Sequence, residues 1–336
     1  YRADLQPIHQ GSILEYYMSY VTMYAHDKAN KTRDLQKVKP YMDTMLQLGM
    51  ASDIIKLQAH STWAYAAHLR PYQLIDETAT YYLLSIQLYE QLPFFERMYA
   101  KYGALSHILF HTGDYKACIE YGSKALKGKQ WLTQQYDVSS AVMLLNTIGQ
   151  AYYQMGLYDS ALNYLAKSAA EAQLLQLPQW VAINAGFEGQ VMLVKGAYGE
   201  ALNYFEQCYA GNRGKDAPME CYSLLGKAKV YLQRGGDVYI QPLLWQALHI
   251  ANYVPAIQRW QVAAYRREAY HTLSMLYLKQ SRLDSFTHYS RVARALEDSM
   301  NRVLSTSNLR ISETRVQVEL LRMQGALLLQ EKDNLR

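Results

Sequence analysis

A nine- or ten-residue phrase returns along this chain about every 40 residues, and a fixed period restricts the fold to a stack of similar units. It reads Gly-Asp-Tyr-Lys-Ala-Cys-Ile-Glu-Tyr at 113–121 and Gly-Leu-Tyr-Asp-Ser-Ala-Leu-Asn-Tyr-Leu at 156–165. It recurs as Gly-Ala-Tyr-Gly-Glu-Ala-Leu-Asn-Tyr-Phe at 196–205, and in worn form as Ser-Arg-Leu-Asp-Ser-Phe-Thr-His-Tyr at 281–289. One such unit cannot bury its own apolar face, so neighbours must stack to make a continuous core.

The local pattern is helical nearly throughout. Leu145, Ile148 and Tyr152 lie at helical spacing, and after a break at Met155-Gly156 so do Tyr158, Ala161, Leu162 and Leu165. A break of so few residues forces the two helices antiparallel. Pro178, Pro218 and Pro255 fall between pairs, where a proline opens a helix without losing a needed N–H. No strict apolar/polar alternation argues for a sheet. Half of the residues are hydrophobic, enough for a long core, yet no run of 18 apolar residues exists to cross a membrane. The net charge of +5 comes without a Lys/Arg run, which argues against nucleic acid as a partner. The first residue is Tyr1 and not a start Met, which reads as a fragment or a processed form.

These hairpins resemble the tetratricopeptide repeat, a helix–turn–helix unit with set small and large positions. Leu145, Ile148, Gly149, Tyr152, Tyr158, Ala161, Leu165 and Ser168 carry the match in one unit. The unit before it offers Tyr102, Leu105, Ser106, Leu109, Tyr115, Cys118, Gly122 and Ala125; the unit after it, Gly189, Met192, Tyr198, Ala201, Phe205 and Cys208. Tyr270, Leu273, Ser274, Tyr277, Leu283, Phe286 and Ala293 repeat the pattern near the end. The unit around Leu225, Gly226, Leu244 and Ala247 is degenerate, with Gly235-Gly236 and Pro242 disturbing its second helix. The resemblance implies an all-α fold: a right-handed α-α superhelix of such hairpins with a long C-terminal helix. Residues 1–50 read as a divergent helical pair or cap, 51–302 as five to six helix pairs, and 303–336 as a helical connector. In the connector, Leu309, Val316, Leu320, Met323 and Leu327 make a short heptad seam through which two copies could pair.

An array followed by a charged helical connector is similar in layout to the sensor portion of bacterial membrane-bound signalling proteins. That layout implies an extracytoplasmic, periplasmic array, reaching the membrane only through a segment beyond Arg336. Two rival expectations stand beside it: a cytoplasmic regulator that binds a signalling peptide or a transcription factor, and a plain assembly scaffold.

Nothing in the sequence argues for catalysis. His107 and His111 share a helix face but have no third metal ligand placed by spacing. Gly186-Phe-Glu-Gly189 lacks the Lys-Ser/Thr ending of a phosphate loop. No cofactor is expected. In the repeat family the first helix of each unit lines a groove, and position by position that implies His107, His111, Asn146, Gln150, Tyr153, Gln190, Ser223, Lys227, His271 and Met275. Amides, imidazoles and phenols suit a protein or peptide ligand, because they hydrogen-bond an extended backbone. The 31 Tyr against 6 Phe fit the same picture, since a phenol ring packs while its hydroxyl stays wet. Cys208 and Cys221 flank a predicted hairpin and read either as a disulfide or, preferably, as two small buried hydrophobes.

Overall fold

The computed structural model describes residues 35–52, 54–72, 74–92, 98–128, 140–254 and 259–302. The described residues are helical and contain no strand. In chain order they form α1 (Leu35–Met50), α2 (Ile55–Leu69), α3 (Ile75–Glu90), α4 (Met98–His111) and α5 (Tyr115–Leu126). Then come α6 (Ser140–Gln154), α7 (Tyr158–Leu174), α8 (Pro178–Val194), α9 (Tyr198–Asn212), α10 (Ala217–Arg234), α11 (Asp237–Asn252) and α12 (Arg259–Lys279). A last helix, α13, covers 283–302. The heptad seam and the dimer expected from it lie in 303–336, outside the described residues, as do Pro255 and the N-terminal part of the expected cap.

The helices fall into two compact units. One holds α1 to α4, the other α6 to α13, and α5 is divided between them. In the first unit α1, α2, α3 and α4 pack each on the next. Its core joins Val38, Met42 and Met45 of α1 to Ala64, Tyr65 and Leu69 of α2. In the second unit the pairs α6–α7, α8–α9 and α10–α11 are hairpins, and each hairpin's second helix packs on the first helix of the next. The first helices also touch one another in series, α6 on α8, α8 on α10 and α10 on α12, so they form an unbroken row.

Two patterns in the sequence produce this stacking. The second helices bury a narrow stripe in steps of four, three and four: Ala161, Leu165, Ser168 and Ala172 in α7, then Ala201, Phe205, Cys208 and Asn212 in α9. Ile240, Leu244, Ala247 and Ala251 repeat it in α11. The first helices are enclosed on several sides; α6 buries Ala141, Val142, Leu144, Leu145, Asn146, Thr147, Ile148, Gly149 and Ala151. Small residues sit where helices cross. A Cβ added at Gly149 would lie 2.9 Å from Leu165 and 3.3 Å from the Ala161 carbonyl. Polar links tie the same crossings: the Ser85 hydroxyl donates to the Ala59 carbonyl at 2.7 Å, and Ser168 donates to Val142 at 2.8 Å.

The recurring turn glycine has a conformational reason. Gly113, Gly156 and Gly196 hold φ of +81°, +76° and +77°, the left-handed region that closes a helix C-terminus. Beyond Gly156 the Leu157 amide donates to the Tyr152 carbonyl at 3.0 Å, and beyond Gly196 the Ala197 amide donates to Met192 at 2.9 Å. Asp114 then caps α5 by accepting from the Ala117 amide at 3.1 Å, as Asp216 caps α10 through Met219 at 3.1 Å. Pro178 and Pro218 stand in the opening turns of α8 and α10, as their positions imply.

One expectation is corrected, and the preferred reading of the two cysteines holds. α11 runs unbroken from Asp237 to Asn252 with Pro242 inside it. Pro242 is the sixth residue of α11, so the helix forgoes one bond, to the Val238 carbonyl, and continues past it. Cys208 and Cys221 are both free and buried, so they serve as small core residues and not as a disulfide. Burial pushes each thiol up to about 12, which leaves neither reactive.

Candidate functional site

Of the ten residues expected to line a groove, His107 and His111 belong to the first unit and the other eight to the second. On α4 the two imidazoles meet edge to face with centroids 4.6 Å apart. Burial lowers both, His107 well below the usual histidine range and His111 to about 4, and the Arg70 guanidinium adds to the effect. Both rings are therefore neutral at pH 7. The buried Nδ1 of His107 has no hydrogen-bond partner among the described residues. Among the described residues no three His, Cys, Asp or Glu side chains come together as a metal site would require.

In the second unit the row of first helices is stitched by side chains one repeat apart. Asn146 Nδ2 of α6 donates to Asn184 Oδ1 of α8 at 2.8 Å, and Asn184 Nδ2 donates to the Trp180 carbonyl at 2.9 Å. Gln150 Nε2 donates back to Asn146 Oδ1 at 2.5 Å. Further along the same helices, Gln190 Nε2 donates to the Tyr153 hydroxyl at 3.0 Å. Four of the expected residues thus sit together between α6 and α8, with Asn184 as a fifth member that the sequence reading missed; Asn146 and Asn184 are enclosed and tie the two helices, while Gln150, Tyr153 and Gln190 stay partly open. Asn184 carried a signal, for it lies one period after Asn146.

The row continues with aromatic and charged side chains. Phe187 of α8 meets Tyr222 of α10 at 5.0 Å between centroids, and Tyr222 meets Tyr265 of α12 at 5.8 Å. Lys229 of α10 reaches Glu268 of α12 at 2.7 Å, and Arg267 binds the other oxygen of that carboxylate at 3.0 Å. Burial pushes Glu268 up, but Lys229 and then Arg267 outweigh it and hold the carboxyl below the ordinary range. Burial raises Tyr153, Tyr222 and Tyr265, so all three phenols stay protonated at neutral pH. The row combines neutral amides and phenols with one fixed ion triad, a set that hydrogen-bonds and stacks.

The remaining four expected residues lie elsewhere. Ser223 is fully enclosed, and its hydroxyl donates to the Met219 and Glu220 carbonyls of its own helix, which leaves nothing for a ligand. Lys227 turns toward α9, where it pairs with Glu206 and stands 5.6 Å from the Tyr209 ring centroid. Counting from Gly226 by the offsets that hold at Gly149 lands on these two residues, but α10 presents Tyr222 and Lys229 to the row instead. Lys229 is two positions beyond Lys227, about 200° around the helix. His271 and Met275 are exposed on α12.

Comparison with known proteins agrees with this architecture. No protein-family model matches the chain, and no curated protein does. Solved structures do. A Rap protein complexed with competence and sporulation factor superposes with a TM-score of 0.62 at 13% identity, covering 99% of this chain and 89% of that one. NprR in complex with its cognate peptide NprX gives 0.59 at 15% identity, over 96% and 89%. A tetratricopeptide repeat protein from Parabacteroides merdae gives 0.58 at 11%, over 87% and 99%. The fold is therefore that of tetratricopeptide-like proteins, all-α and built of repeated helical hairpins. Among the described residues no helix is long and apolar enough to cross a membrane.

Proposed function

We propose that the first-helix row of the second unit holds a short peptide in extended form, and that the protein is a non-catalytic regulator answering to that peptide. The observation that carries the reading is the set Gln150, Tyr153 and Gln190, two amides and a phenol that stay partly open across α6 and α8 on the enclosed Asn146–Asn184 pair. An extended backbone offers one donor and one acceptor per residue, and side-chain amides answer both. Two of the structural neighbours were solved with peptides or factors bound, which favours a peptide regulator over the extracytoplasmic sensor and the plain scaffold. The periplasmic placement rests on the layout of the sequence alone.

The test is capture of peptides from a randomised synthetic heptapeptide library, followed by titration of the recovered sequences. Gln190→Ala and Tyr153→Phe should each weaken binding by about tenfold, a loss near 1.4 kcal/mol, without changing the melting temperature by more than a degree or two. Unchanged affinity in both variants would rule out this row as the binding surface.

A further inference from the structure

The hairpins share one plan, and α8–α9 departs from it at three places. Each first helix crosses its partner at a small residue: Ser106, Gly149, Gly189, Gly226 and Ser274. Four positions earlier the other first helices carry a large side chain, Tyr102, Leu145, Tyr222 or Tyr270, where α8 has Ala185. Directly before the crossing they carry a buried aliphatic, Leu105, Ile148, Leu225 or Leu273. There α8 has Glu188, half-buried. Burial alone raises its carboxyl, and no cation or hydrogen-bond donor answers it among the described residues. Beyond the crossing, Tyr164 of α7 stacks on Tyr152 with centroids 5.3 Å apart. Tyr289 of α13 stacks on both Tyr270 and Tyr277, at 6.1 Å and 5.4 Å. Tyr204, in the same place on α9, has no ring stacked on it among the described residues; burial, then the charges of Glu188 and Glu200, raise its phenol.

Glycine weakens the same hairpin further. α8 contains Gly186 and Gly189, and α9 contains Gly199 and Gly211. Gly149 stands alone in α6–α7, Gly226 alone in α10–α11, and α12–α13 has none. A helical glycine leaves its helix less stable than alanine would. Close approach offsets part of that loss: a Cβ at Gly186 would lie 2.6 Å from the Cys208 sulfur, and one at Gly211 2.3 Å from the Ala182 Cβ. At Gly199 nothing offsets it, since no atom lies within 4 Å of the Cβ position. Asn212 of α9 is fully enclosed, yet its Oδ1 accepts no hydrogen bond among the described residues. The flank beyond is different, for one continuous core joins Leu225, Leu244, Leu273 and Leu276 across α10, α11 and α12. In α8–α9 the buried residues fall into separate small groups, Ile183 with Cys208 and Ala201 with Phe205.

We propose that α8–α9 is the point at which the array opens, an interior hairpin that loosens while α6–α7 and α10–α11 stay folded. A uniform array frays from its ends, because a terminal repeat has one neighbour and an interior repeat has two. An interior minimum of stability is therefore the mark of a hairpin built to be weak. Its place bears on the row: Asn184 and Gln190 bond to α6 and Phe187 meets α10, so opening breaks the row at its middle. The opening belongs to the free chain and stands whether or not a peptide binds.

Hydrogen exchange of the full chain at pH 7 without ligand, read by mass spectrometry, tests it. Segments from α8 and α9 should exchange about tenfold faster than those from both α6–α7 and α10–α11. Glu188→Leu should slow exchange about tenfold across both helices, including amides far from residue 188. Gly199→Ala, which fills open space, should slow it about twofold. The comparison within wild-type protein stands even if a variant folds poorly. Exchange in α8–α9 as slow as in both flanks would overturn the proposal. So would a Glu188→Leu effect confined to the turn that holds the residue.

Discussion

Ser281 stands where the other repeats place glycine, and it takes the same backbone conformation, with φ of +59°. The turn is kept: the Arg282 amide donates to the Tyr277 carbonyl at 2.9 Å, as the residue after glycine does in the intact copies. A left-handed Ser costs roughly 1 kcal/mol relative to Gly. Ser281→Gly should therefore stabilise the chain by about 1 kcal/mol, read as a higher denaturant midpoint; a loss of stability would show that the hydroxyl has a role there. The turn glycines were legible in the sequence because three of four copies keep them. His107 and His111 are a second case at this scale. Their spacing showed a shared face, but not the burial that keeps both neutral. Unfolded histidine titrates near 6.5, so between that pH and about 4 the unfolded chain binds protons that the folded one refuses. The stability at stake is full above about pH 6.5 and drains as the pH falls toward 4. Chemical melts at pH 7 and pH 5 should show a smaller acid loss in His107→Gln/His111→Gln than in wild type; equal losses would contradict the burial described.

Among the elements, α10 shows where sequence reasoning loses its hold. Earlier in the row α6 and α8 follow the repeat phase, and four side chains chosen from that phase lie together. In α10 the crossing residue Gly226 is recognisable, yet the residues offset from it point into the core and toward α9. The close contact explains the shift. A Cβ on Gly226 would lie 2.3 Å from the ring of Phe205, which is fully buried, so the phenyl of α9 occupies the space that a side chain of α10 would need. Gly226→Ala should cost about 2 kcal/mol or more by overpacking, and Phe205→Leu in the same chain should recover part of it. Additive losses would mean that the two residues do not share that space. The second helices were easier to read, because a four-three-four stripe is a one-dimensional signal, whereas the facing of a first helix depends on neighbours on both sides.

At the scale of the molecule, period alone implied the architecture: helical hairpins that, within the second unit, pack each on the next with the first helices in a row. The likeness to other tetratricopeptide-like structures at 11% to 15% identity reflects that origin, for stacking needs only small crossings, large fillers and a turn glycine. The same economy hides the ligand, since the period sets the stacking and only the contacts between α6, α8, α10 and α12 give the row its character. The most direct measurement places a benzophenone on peptides recovered from the library and maps the photocrosslinks by mass spectrometry. The account predicts adducts within 143–154, 180–191, 219–230 and 261–272, the stretches of the first helices that face one another. Adducts confined to α7, α9 and α11 would contradict it.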